Sequence, residues 1–299
     1  MPTGSHDRGV CSLFIAGVDI GGTSIKFGVL DDNYDFVHSE MFPPVPGDPY
    51  ATVERIVRAM RESPVPIMRI GVGTAGQVET DEQLVTAINL GWKRAPIKRM
   101  LRDITGIRTW VDNDAQAALA AEWKNGVLEG CKTGILLTLG TGVGGALLLE
   151  GKPWRGLDNN ASELGHLVTH VGGRPCPCGS RGCFEQYASA TALSRLGGGK
   201  TAKEIVDAAR AGDEEMKAVF EEYLIELGAG ITSLFWVFQP QRLALGGGVS
   251  RAGEYLLDNT RRVLRDVYGQ KNVERVVLAR HQNEAGMMGA AALAEYHLG

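Results

Sequence analysis

The stretch that decides the fold lies near the start of the chain, where residues 14–30 read FIAGVDIGGTSIKFGVL. Apolar and β-branched residues dominate both halves of it, and the Gly-Gly pair between them supplies a tight turn. A β-hairpin is therefore predicted, with strands at 12–20 and Ile25–Leu30. The same pattern returns at 134–149, which read GILLTLGTGVGGALLL. Two copies of one supersecondary unit predict two similar domains that face each other across a cleft.

The rest of the chain alternates helix-like and strand-like segments, as α/β proteins do. Helices are predicted at 50–62, 96–105, from 114 onward, within 201–238, and at 250–268 and 284–296. Strands are predicted at 36–42, 67–73, 109–111, 134–139, 144–149, 242–245 and 273–278. The segment 151–183 is rich in Gly and Pro and has no clear period, which is typical of a long functional loop.

Composition excludes several classes of protein. The 299 residues carry 31 Lys plus Arg against 35 Asp plus Glu, a formal charge of -4, and this mild acidic excess argues against a nucleic-acid binder. No apolar segment approaches the ~20 residues that span a bilayer, and 11–20 do not resemble a signal peptide. We therefore expect a cytoplasmic protein with no membrane partner. The 40 glycines are nearly twice the usual ~7% and fall in clusters, which predicts tight turns at a few places.

Three of the glycine clusters are candidates for a nucleotide site. Two lie in the hairpin turns, and the third, at 245–250, lies between a predicted strand and a helix. Consecutive backbone N–H groups at such turns bind anions, and glycine lets a phosphate approach because it has no Cβ. Each cluster alone fits an ordinary turn, whereas all three together favour a nucleotide site. None of them has the Walker or the Rossmann pattern.

Asp112, Asn113 and Asp114 join a predicted strand to the helix that follows it. An Asp at such a junction is ordinarily a helix N-cap, and that is our interpretation of Asp112. Two further polar side chains exceed what one cap needs. A carboxylate near a helix start can accept a proton from a substrate hydroxyl, as general-base catalysis requires.

The strongest chemical signal is one histidine followed by three closely spaced cysteines. Residues of these types at loop spacing, with glycines between them, predict a closed tetrahedral zinc site. The predicted ligands are His166, Cys176, Cys178 and Cys183. The other two cysteines, Cys11 and Cys131, are expected to be ordinary reduced thiols.

Two carboxylates flank the predicted zinc ligands without belonging to them. Glu163 precedes His166 by three residues, and Glu185 follows Cys183 by two. A structural zinc would hold both carboxylates in fixed orientation. Because carboxylates accept hydrogen bonds from several hydroxyls at once, the pair suits recognition of a sugar.

With these motifs in this order, the sequence resembles the ROK sugar kinases, within the superfamily of actin, the sugar kinases and the Hsp70 ATPase. The cysteine motif is close to diagnostic of the family, whereas the glycine turns alone indicate only the superfamily. The resemblance is carried by Asp19-Ile-Gly-Gly-Thr23, Asn113-Asp114, Leu139-Gly-Thr-Gly-Val-Gly-Gly145, Glu163-x-Gly-His166, Cys176-x-Cys-Gly-x-x-Gly-Cys-x-Glu185 and Leu245-Gly-Gly-Gly248.

The resemblance implies an ATP-dependent hexose kinase that uses ATP with Mg²⁺ and contains a structural Zn²⁺. Asp114 would be the base that deprotonates the sugar 6-hydroxyl, and Asp19 would position Mg²⁺ through water. The residues implied to bind sugar are Gly76, Asn89, Asn113, Asp114, Glu163, His166 and Glu185. The residues implied to cradle the ATP phosphates are Gly21, Gly22, Thr23, Gly140, Thr141 and Gly142, with Gly247 and Gly248 near the adenosine. The zinc ligands would be His166, Cys176, Cys178 and Cys183.

The implied fold has two actin-like (ribonuclease H-like) α/β domains that flank a cleft, with an inserted zinc-binding loop at 163–185. The small domain would comprise 1–112 plus 286–299, and the large domain 113–285. A homo-oligomer, either a dimer or a tetramer, is also expected.

Three departures from the family pattern are visible. Ser24 stands where lysine is usual, although Lys26 lies two residues further on, Ala146 stands where glycine is common, and no proline precedes Gly76. None of these changes removes a catalytic group. The first leaves open which side chain, if any, reaches the phosphates.

Several functions fit the motifs. A glucokinase is the main expectation, and an N-acetylmannosamine kinase or another hexose, allose or fructose kinase is the nearest alternative. ROK repressors carry a helix-turn-helix domain ahead of the first strand, and a strand beginning at residue 12 is expected to leave no room for one. A sugar sensor without catalysis is the third possibility. The motifs do not distinguish ATP from polyphosphate as the phosphoryl donor.

Overall fold

The computed structural model describes residues 13–79, 82–159 and 161–299, and within these ranges the chain folds as an α/β protein. Cys11 and Ser12, the first residue of the predicted opening strand, lie outside them. The elements in chain order are β1 (Ile15–Ile20), β2 (Ile25–Leu30), β3 (Phe36–Phe42), α1 (Pro49–Arg61), β4 (Arg69–Thr74), β5 (Gln77–Glu79), β6 (Leu84–Ala87), β7 (Trp92–Ala95), α2 (Ile97–Thr105), β8 (Thr109–Asn113), α3 (Asp114–Asn125), β9 (Gly134–Leu139), β10 (Val143–Leu149), β11 (Lys152–Trp154), α4 (Glu185–Ala188), α5 (Ala190–Leu196), α6 (Ala202–Ala211), α7 (Glu214–Phe238), β12 (Arg242–Gly246), α8 (Glu254–Asp266), β13 (Val276–Leu278) and α9 (Ala285–Leu298).

The two glycine hairpins build two sheets of the same topology, which confirms the duplicated unit predicted from sequence. One sheet has the order β3-β2-β1-β4-β8 and the other the order β11-β10-β9-β12-β13. In each, the hairpin strands are antiparallel and the next two strands are added in parallel. A third sheet, β5-β6-β7, was not predicted, because its strands are only three or four residues long.

Each large sheet has its own apolar core. Val18, Phe27 and Ile56 belong to a fully buried cluster in the first half, and Leu137, Tyr223 and Leu245 belong to a fully buried cluster in the second. The expected arrangement of two actin-like halves is therefore present. The domain boundaries at 112/113 and 285/286 stay predictions.

Helix α9, the last in the chain, packs very closely on the first sheet and on α3. Its sequence, AGMMGAAALAEYHL, is rich in Ala and Gly, and most of its residues are buried. A Cβ added to Gly71 of the sheet would lie 1.8 Å from the backbone oxygen of Ala290, and one added to Gly289 would lie 1.5 Å from that of Ala117 on α3. Small residues therefore allow α9 to connect the first sheet with the helix that follows β8.

The structure corrects some element boundaries. The helix predicted at 250–268 is divided at Gly253. This residue has a φ of 62°, and it separates a short 3₁₀ turn, Val249–Ala252, from α8. The strand predicted at 273–278 is a 3₁₀ turn followed by the short strand β13. Three consecutive glycines stand at 197–199, and the first of them, Gly197, is the C-cap at which α5 ends. Among the described residues, no helix has the length and apolar character needed to cross a membrane.

Candidate active site

The junction of β8 and α3, where Asp114 lies, is the central feature of the site. The N-cap of α3 is Asn113, whose Oδ1 accepts a hydrogen bond from the Ala115 backbone N–H at 2.8 Å. The interpretation of Asp112 as the N-cap was therefore wrong. The amide group of Asn113 also donates from Nδ2 to the carbonyl oxygen of Gly76 at 2.8 Å. Both ends of the Asn113 side chain are thus engaged in fixing the backbone next to Asp114.

Asp112 has a different environment from the one expected. Its side chain is fully buried, and Oδ2 lies 3.0 Å from Nε of Arg155, which follows β11. The indole N–H of Trp110 donates to the same oxygen at 3.3 Å. Burial raises the pKa of Asp112, while the neighbouring Arg155 opposes the rise.

The Asp114 carboxyl faces the cleft between the two halves and has an unusual pKa. The residue is accessible to solvent at the cleft floor, yet the surrounding protein atoms limit the hydration of its carboxylate. This desolvation, followed by the negative charge of Asp19 and that of Glu163, raises its pKa to about 6. A carboxylate with a pKa near neutrality is suited to accept a proton from a substrate and release it again.

The cleft around Asp114 brings together elements from both halves of the molecule. A cavity of about 190 Å³ is lined by Asp19 at the end of β1, Asp114, Thr138 on β9, Gly247 after β12, and Gly286 at the start of α9. Residues far apart in the chain therefore meet at this cavity.

Asp19 is held by the lysine noted among the departures from the family pattern. Lys26 lies opposite Asp19 in the β1–β2 ladder, and its Nζ is 3.3 Å from Asp19 Oδ2. The same Nζ donates to the carbonyl oxygen of Asn283 at 3.0 Å. Lys26 thus places a positive charge beside Asp19 at the hairpin end that faces the cleft.

Each of the two hairpin turns is closed by a backbone hydrogen bond. In the first, the N–H of Gly21 bonds to the oxygen of Ser24 at 2.9 Å, and in the second, the N–H of Gly140 bonds to the oxygen of Gly142 at 3.0 Å. Thr23 and Thr141 are exposed at the tips. The hydroxyl of Thr191 on α5 donates to the Thr141 oxygen at 2.7 Å, which fixes the second turn against the helix that follows the cysteine loop.

The predicted sugar-binding residues lie on several separate segments. Glu163 immediately precedes a 3₁₀ turn, Leu164–His166, and its pKa is raised chiefly by burial. The negative charge of Glu163 contributes to the raised pKa of Asp114, so the two carboxylates interact electrostatically. Glu185, at the start of α4, approaches the second turn so closely that a Cβ on Gly142 would lie 2.5 Å from Oε2.

Gly76 and Asn89 belong to the first half of the chain, where Gly76 lies between β4 and β5 and Asn89 lies between β6 and β7. Gly76 has a φ of +130°, and a Cβ there would lie 2.4 Å from the Thr86 oxygen, so only glycine fits. Its carbonyl is the acceptor for Asn113. Asn89 is exposed, and its Cβ lies 3.3 Å from where a Cβ of Gly22 would be. Asn89 is therefore next to the first glycine turn.

The predicted metal ligands converge on one point. A ligand atom from each of His166, Cys176, Cys178 and Cys183 lies within 4.8 Å of those of the other three. The Cys178 and Cys183 sulfurs are 3.6 Å apart, and the Cys176 sulfur is 3.8 Å from His166 Nδ1. Three thiolates and an imidazole are the donor set of a structural zinc site, and this cluster fits such an ion.

The cluster is connected to the candidate sugar site through Glu185. The Cys176 sulfur lies 3.0 Å from Glu185 Oε1, and His166 Nδ1 lies 3.8 Å from the same oxygen. The residues that could hold a metal ion are thus directly beside a carboxylate that faces the second glycine turn.

Gly247 and Gly248 are adjacent in sequence but line different cavities. Gly247 lines the cavity at Asp114, whereas Gly248 lines a second one of about 260 Å³ beside α6, with Val206, Arg210 and Val249 among its lining residues. The third glycine cluster therefore contributes to the linings of two cavities.

Comparison with known proteins places the chain in a family. The sequence model described as "ROK family" matches residues 15–297. The chain belongs to the ROK family. A glucokinase of Streptomyces coelicolor is 36% identical over 93% of this chain and 96% of its own length. An N-acetyl-D-glucosamine kinase of Vibrio vulnificus is 30% identical over 93% and 98%.

A solved structure shows the same fold for a ROK-family relative. The crystal structure of a ROK family glucokinase from Streptomyces griseus, in complex with glucose and AMPPNP, superposes with a TM-score of 0.80 and is 33% identical. The superposition covers 95% of this chain and 99% of that one. The expectations of a ROK-family sequence and of an actin-like α/β fold are both confirmed.

Some residues at this ROK-family site were not predicted from sequence. Arg155 and Gln116 were missed because an arginine in an irregular loop and a glutamine inside an Ala-rich helix carry no local signal. Gly286 was also missed, although it allows α9 to begin beside Asp19, with a Cβ-to-Cγ separation of only 2.5 Å if a side chain were added. The small residues at the start of the closing helix could have indicated that this helix packs closely on a neighbouring element.

Proposed function

We propose that this ROK-family protein is an ATP-dependent hexose kinase that transfers the γ-phosphoryl group of ATP to the 6-hydroxyl of glucose. The observation that carries the proposal is the position of Asp114, an ionisable carboxylate with a pKa raised to about 6, in a cavity that is lined from both halves of the molecule. The resemblance of the chain to glucokinases of the family supports the choice of hexose and of donor.

Phosphoryl transfer requires mainly positioning and charge neutralisation, with one group to orient the nucleophile. Asp114 is the proposed base: its ionised carboxylate accepts the proton of the sugar 6-hydroxyl as the oxygen attacks the γ-phosphorus. The bond from the γ-phosphorus to the bridging oxygen breaks, and ADP leaves with that electron pair. The hydrogen bonds of Asn113 to Ala115 and Gly76 hold this junction in place. The accepted proton is then released to solvent, which a group titrating near neutrality does readily.

The proposed phosphate contacts come from the two hairpin turns. Backbone N–H groups and hydroxyls of Gly21, Gly22, Thr23, Gly140, Thr141 and Gly142 would face the phosphates. Asp19 would hold Mg²⁺ through water, and the ion would neutralise charge on the β- and γ-phosphates. Gly248 and the cavity beside α6 would receive the adenosine, with Gly247 between that cavity and Asp114.

The sugar would be bound by the carboxylates and amides around Asp114. Glu163 and Glu185 would accept hydrogen bonds from sugar hydroxyls, and Asn89, Asn113, His166 and Gly76 would complete the pocket. His166, Cys176, Cys178 and Cys183 would hold a structural Zn²⁺, whose contribution is to keep the loop at 163–185 in one conformation. Glu185 then acquires a fixed position from its contact with the metal site.

An N-acetylated hexose is the second candidate substrate. The Vibrio vulnificus relative, named as an N-acetyl-D-glucosamine kinase, is 30% identical over nearly the same span. N-acetylmannosamine, allose and fructose are the other alternative substrates. An oligomer of this chain and a cytoplasmic location stay predictions.

The decisive experiment is a coupled ADP-release assay with glucose, mannose, fructose, allose, N-acetylglucosamine and N-acetylmannosamine. Glucose is expected to give the highest kcat/KM, and a higher value for an acetylated sugar would overturn the assignment of glucose. Repeating the glucose reaction with polyphosphate in place of ATP, and following sugar phosphate, tests the donor. Turnover only with polyphosphate would overturn the assignment of ATP.

The variant Asp114→Ala tests the assignment of the base in the same assay. Turnover should fall by about 10²–10⁴-fold, the usual contribution of a general base, while calorimetry shows glucose binding little changed. Asp103→Ala, on the exposed face of α2, is the control and should retain wild-type activity. Near-normal turnover of Asp114→Ala would show that another group is the base, and sugar binding without any ADP release by the wild type would show a sugar sensor.

A further inference from the structure

The segment that leads from β11 to Glu163 is attached to the Asp114 junction on both sides of Asp114. Two residues before Asp114, Asp112 Oδ2 lies 3.0 Å from Nε of Arg155. Two residues after it, Nε2 of Gln116 donates to the carbonyl oxygen of Trp154 at 3.2 Å. Adjacent residues of one segment thus contact the end of β8 and the first turn of α3.

These attachments are shielded from water. Asp112 is fully buried, Gln116 is 4% exposed, and the Arg155 side chain is 12% exposed. The Arg155 guanidinium also lies over the ring of Trp110, 5.0 Å from its centroid. The arginine is therefore constrained by a charge on one side and an aromatic face on the other.

The same segment continues directly to the proposed sugar-binding carboxylate. The hydroxyl of Ser162 donates to the Trp154 oxygen at 3.3 Å, and the N–H of Ala161 bonds to the oxygen of Arg155 at 3.1 Å. The residues just before Glu163 are thus tied back to the two residues that contact the Asp114 junction. A short continuous set of contacts links the position of Asp114 to that of Glu163.

Stability alone does not account for a buried ion pair at this place. Removing two charges from water costs much of what their attraction returns, so a buried pair is often no more stabilising than apolar residues of similar size. The attraction between the opposite charges, 3.0 Å apart, nevertheless holds the two segments that carry them together. A planar guanidinium that stacks on an indole adds a constraint that a lysine ammonium lacks.

We propose that Arg155 is a positioning residue, which acts through Asp112 to set the placement of Glu163 relative to Asp114. The inference rests on the proposed function, since it assumes that Glu163 binds the sugar and Asp114 is the base. With Arg155 in place, the 6-hydroxyl of the bound sugar is aligned with the carboxylate. Without it, the sugar binds in several orientations and water reaches the phosphoryl group more often.

The test compares Asp112→Asn/Arg155→Met, Arg155→Lys and the wild type. The double variant removes both charges and so avoids leaving one of them buried alone, which is strongly destabilising. Arg262→Met is the control, because Arg262 on α8 pairs with Glu221 on α7 and neither residue lines the cavity at Asp114 or the one beside α6. Each protein is assayed for kcat, sugar KM, and the ratio of ADP to sugar phosphate formed.

The double variant should lose at least tenfold in kcat, raise the sugar KM severalfold, and form more than one ADP per sugar phosphate. Arg155→Lys should recover part of the loss, and Arg262→Met should match the wild type. Wild-type kcat, KM and product ratio in the double variant would overturn the positioning role. A purely structural role would change the melting temperature but leave the product ratio at one, and this too would overturn it.

A failure of the proposed function has a different signature. In that case the wild type itself releases no sugar-dependent ADP. Circular dichroism and thermal melts of each variant establish that the compared proteins are folded. If the double variant does not fold, Arg155→Lys is used in its place, with the same ratio of ADP to sugar phosphate as the readout. A ratio of one, together with unchanged kcat and KM, would then contradict the proposal.

Discussion

At the scale of single residues, the environment of Asp114 is the most informative feature. Its carboxyl is surrounded by protein atoms and by the negative charges of Asp19 and Glu163, and all three effects favour the protonated form. A carboxylate at an ordinary surface position would be ionised throughout the neutral range. Here the group changes its protonation state close to the pH at which the protein would work.

The raised pKa predicts the pH dependence of activity. A general base must be ionised, so kcat/KM for the sugar should fall tenfold per pH unit below about 6 and level off above it. The check is a steady-state pH profile from pH 5 to pH 8.5, with circular dichroism at each pH as the folding control. A profile that stays flat down to pH 5 would contradict the assignment of Asp114 as the base.

Sequence reasoning at this scale identified the residue types but not all of their contacts. Asp112, Asn113 and Asp114 were singled out correctly as a group, yet the cap was assigned to the wrong member. Capping preferences of Asp and Asn are nearly equal, and the choice was made by burial of Asp112 against Arg155, 43 positions away in a loop without pattern. Such a partner is defined only when the chain has folded.

At the scale of elements, the cysteine loop shows how spacing in sequence becomes geometry. The loop has few regular elements, and its conformation depends on short turns and on the four candidate metal ligands. Glu185, which follows the last cysteine, begins α4 and faces the second glycine turn. Loss of the metal should therefore affect the sugar site at a distance from the ligands.

The corresponding prediction concerns Cys178. Cys178→Ser should lose zinc and weaken sugar binding, because Glu185 and Glu163 are no longer held in one orientation. The zinc content is measured by elemental analysis and the affinity by calorimetry, with Cys131→Ala, outside the cluster, as the control. A wild-type protein purified without chelators that contains no zinc would contradict the assignment of the metal.

The closing helix α9 gives a prediction about stability. Gly289→Ala would place a Cβ 1.5 Å from the Ala117 oxygen, so α9 and α3 must move apart. Overpacking of this kind costs about 1–3 kcal/mol or more, which should be evident as a lower melting temperature. The control is Gly246→Ala, where the nearest atom is 3.5 Å away and little change is expected. Equal melting temperatures for the two variants would show that the helix packing adapts.

At the scale of the whole molecule, two sheets of equal topology have separate cores, and the cavity at Asp114 is lined from both halves. The helices α3 and α9 pack on each other and connect the first sheet to the second half. This arrangement is suited to a rotation of one half against the other, with the cleft opening and closing between them.

Closure over the sugar is the prediction at this scale. Exclusion of water by closure would limit wasteful ATP hydrolysis. The radius of gyration from small-angle scattering should decrease at saturating glucose, with a sugar that is not phosphorylated as the control. A scattering curve that glucose leaves unchanged would contradict closure.

The sequence by itself determined the α/β class, the two glycine hairpins and the set of candidate metal ligands. These features depend on residues close together in the chain, where the alternation of apolar residues, the conformational freedom of glycine and the spacing of cysteines act directly. The sequence also identified Asp114 by its place at a strand–helix junction. The tertiary structure alone decided that Asp112 pairs with Arg155, that Lys26 bonds to Asp19, and that Gly247 and Gly248 line separate cavities. Those contacts form between residues that are distant in the chain and are brought together only by folding, so no local sequence pattern predicts them.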